Sequence, residues 1–306
     1  MTRAVVFAYH NVGVRCLEVL IRRGVEIPLV VTHDDNPAET IWFDNVARTA
    51  TRHGIPWILP DDPNAPEVVA RIAACAPDFL FSFYYRLMLK PPLLALAPRG
   101  ALNVHGSLLP KYRGRVPINW AIISGETETG ATLHYMTEKP DAGDIVAQAA
   151  VPILPDDTAK DVFDKVTIAA ASCLDEVLPA LAAGTAPRMR QDLKLGAYFG
   201  GRKPEDGIID WSKDATTIHN LVRAVAPPYP GARTTVEGRP ARVLRTHVLE
   251  TTTRNAPALI VQSGAIVAHC GGGGALSVLE FEVDGSPVTA DALTRRFGSS
   301  ALRPGA

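Results

Sequence analysis

The chain has 306 residues, of which 47% are hydrophobic and 21% are charged, and its formal net charge is −1. This is the composition of an ordinary globular protein, and the length suffices for one large domain or two smaller ones. The near-zero net charge excludes a strong overall field that would attract nucleic acid or an anionic membrane.

The N-terminal half alternates short apolar runs with amphipathic stretches. Runs rich in Val, Leu and Phe predict strands buried on both faces, as in a parallel sheet. These runs span residues 4–8, 28–32, 79–84 and 101–105. Apolar residues at helical spacing predict helices at residues 14–23, 41–53 and 66–75. The alternation predicts an α/β fold with a Rossmann-like, doubly wound, mostly parallel sheet.

The middle of the chain continues this pattern and then loses it. Residues 129–136 and 144–151 predict two further strands, and Thr158 is a candidate N-cap for a long helix that ends near Gly184. Residues 187–203 carry scattered Pro and Gly residues without apolar periodicity, which predicts a linker.

The remaining residues have a different character. One helical pattern, at residues 215–224, is followed by short strand patterns separated by turns that contain Gly and Pro. This predicts a smaller, mostly β domain that resembles an OB barrel. We therefore expect an N-terminal domain over residues 1–186, a linker over 187–203 and a C-terminal domain over 204–306.

Asn103 and His105 lie at the end of the predicted strand 101–105. Because strand side chains alternate between faces, these two side chains point the same way, and Gly106 then ends the strand. Open α/β sheets bind ligands at this edge. An amide that stabilises an oxyanion beside an imidazole that moves protons suits acyl transfer. The alternative interpretation is a histidine held only by structural hydrogen bonds.

Asp141 lies in a turn between the two later predicted strands. If this turn folds back, its carboxylate would orient the His105 ring and favour the protonated imidazole. An aspartate two residues before a glycine is also an ordinary turn residue, so spacing alone leaves both interpretations open.

A long, ordered set of motifs resembles the folate-dependent formyltransferase family. Residues 103–114 read Asn-x-His-Gly-Ser-Leu-Leu-Pro-x-Tyr-Arg-Gly, and Pro117 and Trp120 follow. Residues 125–130 then read Gly-Glu-Thr-Glu-Thr-Gly, and residues 141–144 read Asp-x-Gly-Asp. The resemblance is strong over the first 180 residues or so and weaker beyond them. It implies an enzyme that uses N10-formyltetrahydrofolate as co-substrate, with residues 1–186 as its catalytic domain.

The resemblance also implies roles for individual residues. The matching Asn stabilises the tetrahedral oxyanion, the His shuttles a proton and the Asp tunes that His, which assigns these roles to Asn103, His105 and Asp141. Folate binding is implied for a further set, which is Leu87, Met88, Leu89, Arg115, Thr137, Glu138, Lys139, Pro140 and Asp141. From the sequence alone, residues 87–89 would be ordinary core, and Arg115 would be part of a solvated loop.

Three segments distinguish branches within the family. Residues 7–13, 32–37 and 81–86 depart from the pattern of the tRNA enzymes and are similar to the branch that formylates UDP-4-amino-4-deoxy-L-arabinose for lipid A modification. This similarity implies a UDP-amino sugar as acceptor and a role in lipopolysaccharide biosynthesis and antimicrobial peptide resistance. Methionyl-tRNA formyltransferase is the alternative.

Other features of the sequence bear on two further classes of protein, on location and on partners. A non-catalytic sugar-nucleotide binding protein would be expected to lose one of the three polar residues, and an NAD-dependent oxidoreductase would need a Gly-x-Gly-x-x-Gly motif near Gly13. The scattered cysteines and the short apolar start predict a cytoplasmic protein without membrane insertion. We expect small-molecule substrates, no nucleic acid and no metal, and the oligomeric state stays open.

Overall fold

The computed structural model describes residues 2–37, 40–251, 254–299 and 301–305. The chain divides into two compact units. The first contains residues 1–117, 128–151 and 163–200, and the second contains residues 118–127, 152–162 and 201–306.

The first unit contains a main sheet, which includes the predicted apolar runs, and a separate sheet made of two two-residue strands. Its strands are β1 (Arg3–Ala8), β2 (Glu26–Val31), β3 (Trp57–Ile58), β4 (Phe79–Phe83), β5 (Ala101–His105), β6 (Arg113–Gly114), β7 (Glu128–Tyr135), β8 (Ile145–Pro152) and β9 (Tyr198–Phe199). The main sheet has the order β3-β2-β1-β4-β5-β7-β8. Strands β1 to β5 pair in parallel, and β5 pairs antiparallel with β7.

The helices follow the predicted strand–helix alternation. They are α1 (His10–Arg22), α2 (Val46–Arg52), α3 (Pro66–Ala74), α4 (Pro91–Leu94), α5 (Pro117–Ile123) and α6 (Ala159–Ala183). Helix α2 begins later than the apolar pattern at 41–53 predicted, because the Asn45 side chain accepts a hydrogen bond from the Arg48 N–H and caps the helix there. Trp42 and Phe43 instead pack their rings against His10.

Residues 188–200, which we call the 188–200 segment, belong to the first unit although sequence pattern predicts a linker over 187–203. Met189 bridges to Ile145 at the start of β8, and β9 pairs in parallel with β6. A short 3-10 helix, Leu193–Leu195, lies between these two contacts. The segment is therefore held to the first unit by backbone hydrogen bonds at both ends.

The second unit contains an antiparallel sheet. Its strands are β10 (Ala232–Val236), β11 (Arg239–Leu249), β12 (Ala258–Gln262), β13 (Ala265–His269), β14 (Ala275–Val283), β15 (Ser286–Pro287), β16 (Ala301–Leu302) and β17 (Pro304–Gly305). The order is β16-β12-β13-β14-β11-β10-β17, with β15 on β14. Helices α7 (Ala215–Val225) and α8 (Ala290–Phe297) and the 3-10 helix Pro204–Gly207 belong to this unit, as does α5 except for its first residue.

The two edges of this sheet are joined by one short piece of chain. Leu302 pairs with Leu259 in β12, whereas Pro304 pairs with Val236 in β10. Residues two apart span only about 7 Å, so the two edge strands lie close together and the sheet curls into a barrel-like form. The predicted α/β domain followed by a mostly β domain is confirmed.

Helix α6 has the length and apolar composition of a membrane span, but half of its most apolar window is buried within the structure. A core helix of a globular protein has these same properties.

Candidate active site

Strand β5 presents Asn103 and His105 on one face of the main sheet. In the pairing with β7, Asn103 lies opposite His134 and His105 lies opposite Thr132. Because alternate residues share a face, these four side chains stand together, while the intervening Leu102 and Val104 point the other way and are buried. The two residues predicted at the strand end therefore share a face with a second histidine.

His134 binds the Asn103 amide. Its Nδ1 lies 2.9 Å from the backbone oxygen of Tyr135, so Nδ1 carries the proton and donates it to that carbonyl. Nε2 is then free to accept the Asn103 Nδ2–H at 3.2 Å. The pKa of His134 is lowered to about 4, chiefly by burial; nearby Asp141 opposes this shift and nearby His105 contributes to it. His134 is therefore neutral at pH 7, and it accepts a hydrogen bond from one of the two N–H groups of Asn103.

His105 is fixed by a backbone carbonyl and faces a carboxylate. Its Nε2 donates to the Tyr112 oxygen at 2.8 Å, which leaves Nδ1 as the basic nitrogen. The Asp141 Oδ1 lies 3.6 Å from this Nδ1. The carboxylate oxygen therefore faces the nitrogen that carries no proton. The ring can therefore accept a proton at a defined atom.

Asp141 joins the predicted residues into one cluster. Its Oδ1 lies 3.6 Å from His105 Nδ1 and also 3.6 Å from His134 Nε2, and its Oδ2 accepts the Gly114 N–H at 2.8 Å. Its backbone has a φ of 51°, in the left-handed region that aspartate tolerates better than most residues. Through His134 the carboxylate is linked to Asn103, so the structure brings Asn103, His105 and Asp141 together.

The residues predicted to bind folate lie on three loops, which are the loop at 87–89, the loop between β7 and β8, and the loop after β6 that carries Arg115. Leu87 and Met88 are 40% and 56% exposed, so they are not the core residues that their apolar character alone suggests, whereas Leu89 is buried. Their loop is held by Asn64, whose Nδ2 donates to the Met88 oxygen at 2.9 Å and whose Oδ1 accepts the Lys90 N–H at 2.7 Å.

The second loop runs from β7 to β8. Within it, the Thr137 hydroxyl donates to the Lys139 oxygen at 2.9 Å, Glu138 is exposed and Pro140 is half-buried. Arg115, in the loop after β6, has an exposed side chain, and its N–H donates to the Phe199 oxygen. A cavity of about 600 Å³ borders the second loop, and its lining residues include Thr137, Gly143 and Gln191.

Two residues that contribute to this site carry no sequence signal of their own. His134 lies in the middle of a strand pattern, and its position beside Asn103 depends on the register of β5 against β7. Gln191 lies in the predicted linker, yet it is only 8% exposed and donates hydrogen bonds to the turn that carries Asp141. Long-range pairing of this kind cannot be inferred from the spacing of residues within one sequence.

Within the described residues, no group of three or more His, Cys, Asp or Glu side chains could hold a metal ion. The chemistry of the cluster is that of an amide donor, a neutral histidine, a histidine that can be protonated and a carboxylate.

Comparison with protein families gives two matches along the chain. The family described as formyl transferase matches residues 11–178, which is more than half of the chain. The family described as formyl transferase, C-terminal domain, matches residues 202–298. The first match contains Asn103, His105 and Asp141.

Comparison with solved structures finds the same fold. An N-formyltransferase from Helicobacter canadensis, solved with folinic acid and dTDP-3-aminofucose, is 18% identical with a TM-score of 0.71, and the alignment covers 91% of this chain and 99% of that chain. A sugar N-formyltransferase from a Shewanella species is 20% identical with a TM-score of 0.60, covering 76% and 92%. Glycinamide ribonucleotide transformylase 1 from Symbiobacterium toebii is 24% identical with a TM-score of 0.54, covering 63% and 95%.

Proposed function

We propose that this chain, which belongs to the formyl transferase family, transfers the formyl group of N10-formyltetrahydrofolate to the amino group of a nucleotide-linked sugar. The observation that carries the proposal is the cluster in which the Asp141 carboxylate lies 3.6 Å from both His105 and His134, and His134 binds Asn103. An amide donor and a protonatable imidazole side by side are the groups that acyl transfer to an amine requires.

The cluster supports a defined sequence of proton transfers. The neutral amine attacks the formyl carbon, and the N–H of Asn103 that His134 does not use donates to the developing oxyanion. His105 Nδ1 accepts the proton that the amine loses, and the Asp141 carboxylate stabilises the resulting imidazolium. The same proton then passes to N10 of the departing tetrahydrofolate as the bond between that nitrogen and the formyl carbon breaks.

We assign folate binding to the loop at residues 87–89, the loop at 137–141 that carries Asp141, and Arg115 in the loop after β6. Leu87 and Met88 offer apolar side chains that are exposed, as suits a contact with a flat pterin ring, and Leu89 anchors their loop in the core. Thr137, Glu138, Lys139, Pro140 and Asp141 would contribute backbone groups, and Arg115 a cation for the carboxylates of the folate. Family resemblance supports these assignments.

The acceptor that we propose is a UDP-amino sugar, most specifically UDP-4-amino-4-deoxy-L-arabinose of lipid A modification. The similarity of residues 7–13, 32–37 and 81–86 to that branch supports it. The structural neighbour solved with dTDP-3-aminofucose supports the wider class of nucleotide-linked amino sugars. A cytoplasmic location is part of the proposal, and the four free thiols agree with a reducing compartment.

A transfer assay with competing acceptors tests the proposal. N10-formyltetrahydrofolate is supplied together with UDP-4-amino-4-deoxy-L-arabinose, a dTDP-linked 3-amino sugar or charged initiator tRNA, and the formylated products are identified by mass spectrometry. We expect kcat/KM to be highest for the UDP-amino sugar. Preference for the dTDP sugar would reject the proposed nucleotide and sugar, and formylation of the tRNA alone would favour methionyl-tRNA formyltransferase.

A further inference from the structure

The 188–200 segment holds the backbone of the turn that carries Asp141. Gln191 is only 8% exposed, and its Nε2 donates to the Asp141 oxygen at 3.1 Å and to the Gly143 oxygen at 2.6 Å. One side-chain amide therefore satisfies two carbonyls on either side of Ala142. The turn is therefore bound by a residue that is 50 positions from Asp141 in sequence.

The same segment holds the group that binds the Asp141 carboxylate. The Gly114 N–H donates to Asp141 Oδ2 at 2.8 Å, and Gly114 belongs to β6, which pairs with β9. The buried guanidinium of Arg113 reinforces this pairing, since its Nη2 donates to the oxygens of Leu193 and Gly196. The 188–200 segment therefore contacts the Asp141 turn in two ways. Gln191 binds the backbone of the turn, and β9 pairs with the strand whose Gly114 N–H binds the Asp141 carboxylate.

This support matters because the turn is strained. Asp141 has a φ of 51°, in the left-handed region that residues with a Cβ occupy only when their surroundings hold them there. The carboxylate must also stay within 3.6 Å of two imidazole rings at once. A turn that relaxed would move the carboxylate away from both.

We propose that Gln191 is a positioning residue for catalysis, which fixes the strained turn so that the Asp141 carboxylate faces His105 and His134. The inference rests on the proposed role of these residues in formyl transfer. It assigns a function to a segment in which sequence pattern predicts only a linker.

Two substitutions of similar size to glutamine separate hydrogen bonding from packing. Gln191→Met keeps the bulk of the side chain and removes the donor, and Gln191→Glu replaces the donor by an acceptor that faces two carbonyls. We expect kcat for formyl transfer to fall by roughly 10- to 100-fold in both variants, with the KM values within about twofold of the wild type. Arg190→Ala, at the exposed neighbouring position of the same segment, is the matched control and should keep kcat.

Amide hydrogen exchange gives a readout that needs no turnover. We expect faster exchange over residues 138–144 in both Gln191 variants, at a melting temperature close to that of the wild type, and no change in Arg190→Ala. If the wild type transfers no formyl group, the proposed function fails, while exchange still reports whether Gln191 fixes the turn. Full kcat in Gln191→Met, or unchanged exchange over 138–144, would overturn the inference.

Discussion

At the scale of single residues, His134 uses only part of the hydrogen-bonding capacity of Asn103. Its amide has two N–H groups and one oxygen, and neutral His134 accepts only one of the N–H groups. Fixing that N–H sets the plane of the amide, so the other N–H points in a defined direction. His134 thus orients a group that, in the proposed mechanism, binds the oxyanion.

Removal of the His134 acceptor is expected to slow transfer without weakening substrate binding. In His134→Ala the Asn103 amide loses the partner that sets its plane, and we expect kcat to fall by about tenfold or more. In His134→Gln an amide oxygen can still accept the same N–H, so this variant should retain more of the wild-type kcat. Steady-state kinetics check both variants, and circular dichroism checks their folding. Equal kcat values in the two variants would contradict the orienting role.

Loss of each proposed catalytic residue is expected to remove activity rather than folding. Asn103→Ala removes the oxyanion donor and His105→Ala removes the proton acceptor, and each should cost on the order of 100-fold or more in kcat. Asp141→Ala removes the carboxylate that, in the proposed mechanism, stabilises the imidazolium, and it should also abolish most of the activity. Single-turnover rates and folate binding by fluorescence are the measurements. Turnover close to wild type in His105→Ala would reject the assignment.

Only part of this cluster could be predicted from the sequence. Asn103 and His105 follow from alternation along one strand, which is a local property. The role of Asp141 is implied only by family resemblance. The spacing of residues in the sequence does not show that the turn after β7 folds back towards His105. His134 depends on the antiparallel register of β5 and β7, and Gln191 depends on the packing of a segment without periodicity.

At the scale of elements, sequence pattern located the buried strands and long helices better than the segments held by specific contacts. The four apolar runs correspond to β1, β2, β4 and β5, because a strand covered on both faces needs a continuous apolar sequence. The short strands β6 and β9 do not need a continuous apolar sequence. They have two residues each and are held by hydrogen bonds and by the side chain of Arg113.

Close packing of the 188–200 segment predicts contrasting effects for two of its glycines. A Cβ at Gly196 would lie 1.9 Å from the Pro110 oxygen and 2.8 Å from the Lys111 nitrogen, and both atoms are backbone. A Cβ at Gly200 would have no atom outside its chain neighbours within 4 Å. We expect Gly196→Ala to lower the free energy of unfolding by about 3 kcal/mol, and Gly200→Ala to change it by about 0.5 kcal/mol or less.

Chemical denaturation of the two glycine variants beside the wild type measures this difference. Because the loop at Pro110 leads to β6, Gly196→Ala should also slow formyl transfer. Similar stability in the two variants would mean that the 188–200 segment does not pack as described.

At the scale of the whole molecule, two histidines of the first unit link stability to pH. Burial lowers the pKa of His134 to about 4, and burial together with nearby Arg86 lowers the pKa of His33 to about 4. In the unfolded chain a histidine has a pKa near 6.5. Between these values the unfolded chain binds more protons than the folded one, so the free energy of unfolding falls as the pH falls from about 6.5 to about 4.

Substitution of these histidines is expected to flatten that dependence. We expect His33→Gln and His134→Gln to lose less stability than the wild type between pH 7 and pH 5. Urea denaturation at a series of pH values is the measurement. Carboxylates titrate in the same range but are common to all three proteins, so the differences between the curves report the histidines. Parallel curves would contradict the lowered pKa values.

The 188–200 segment has a consequence for any truncated form of the protein. A polypeptide cut after residue 186 would retain Asn103, His105, His134 and Asp141, yet it would lack the Gln191 amide that binds the Asp141 turn and the strand that pairs with β6. Extending the cut to residue 200 would restore both. If the proposed mechanism is correct, any active truncated form must therefore extend at least to residue 200, beyond all four of these side chains.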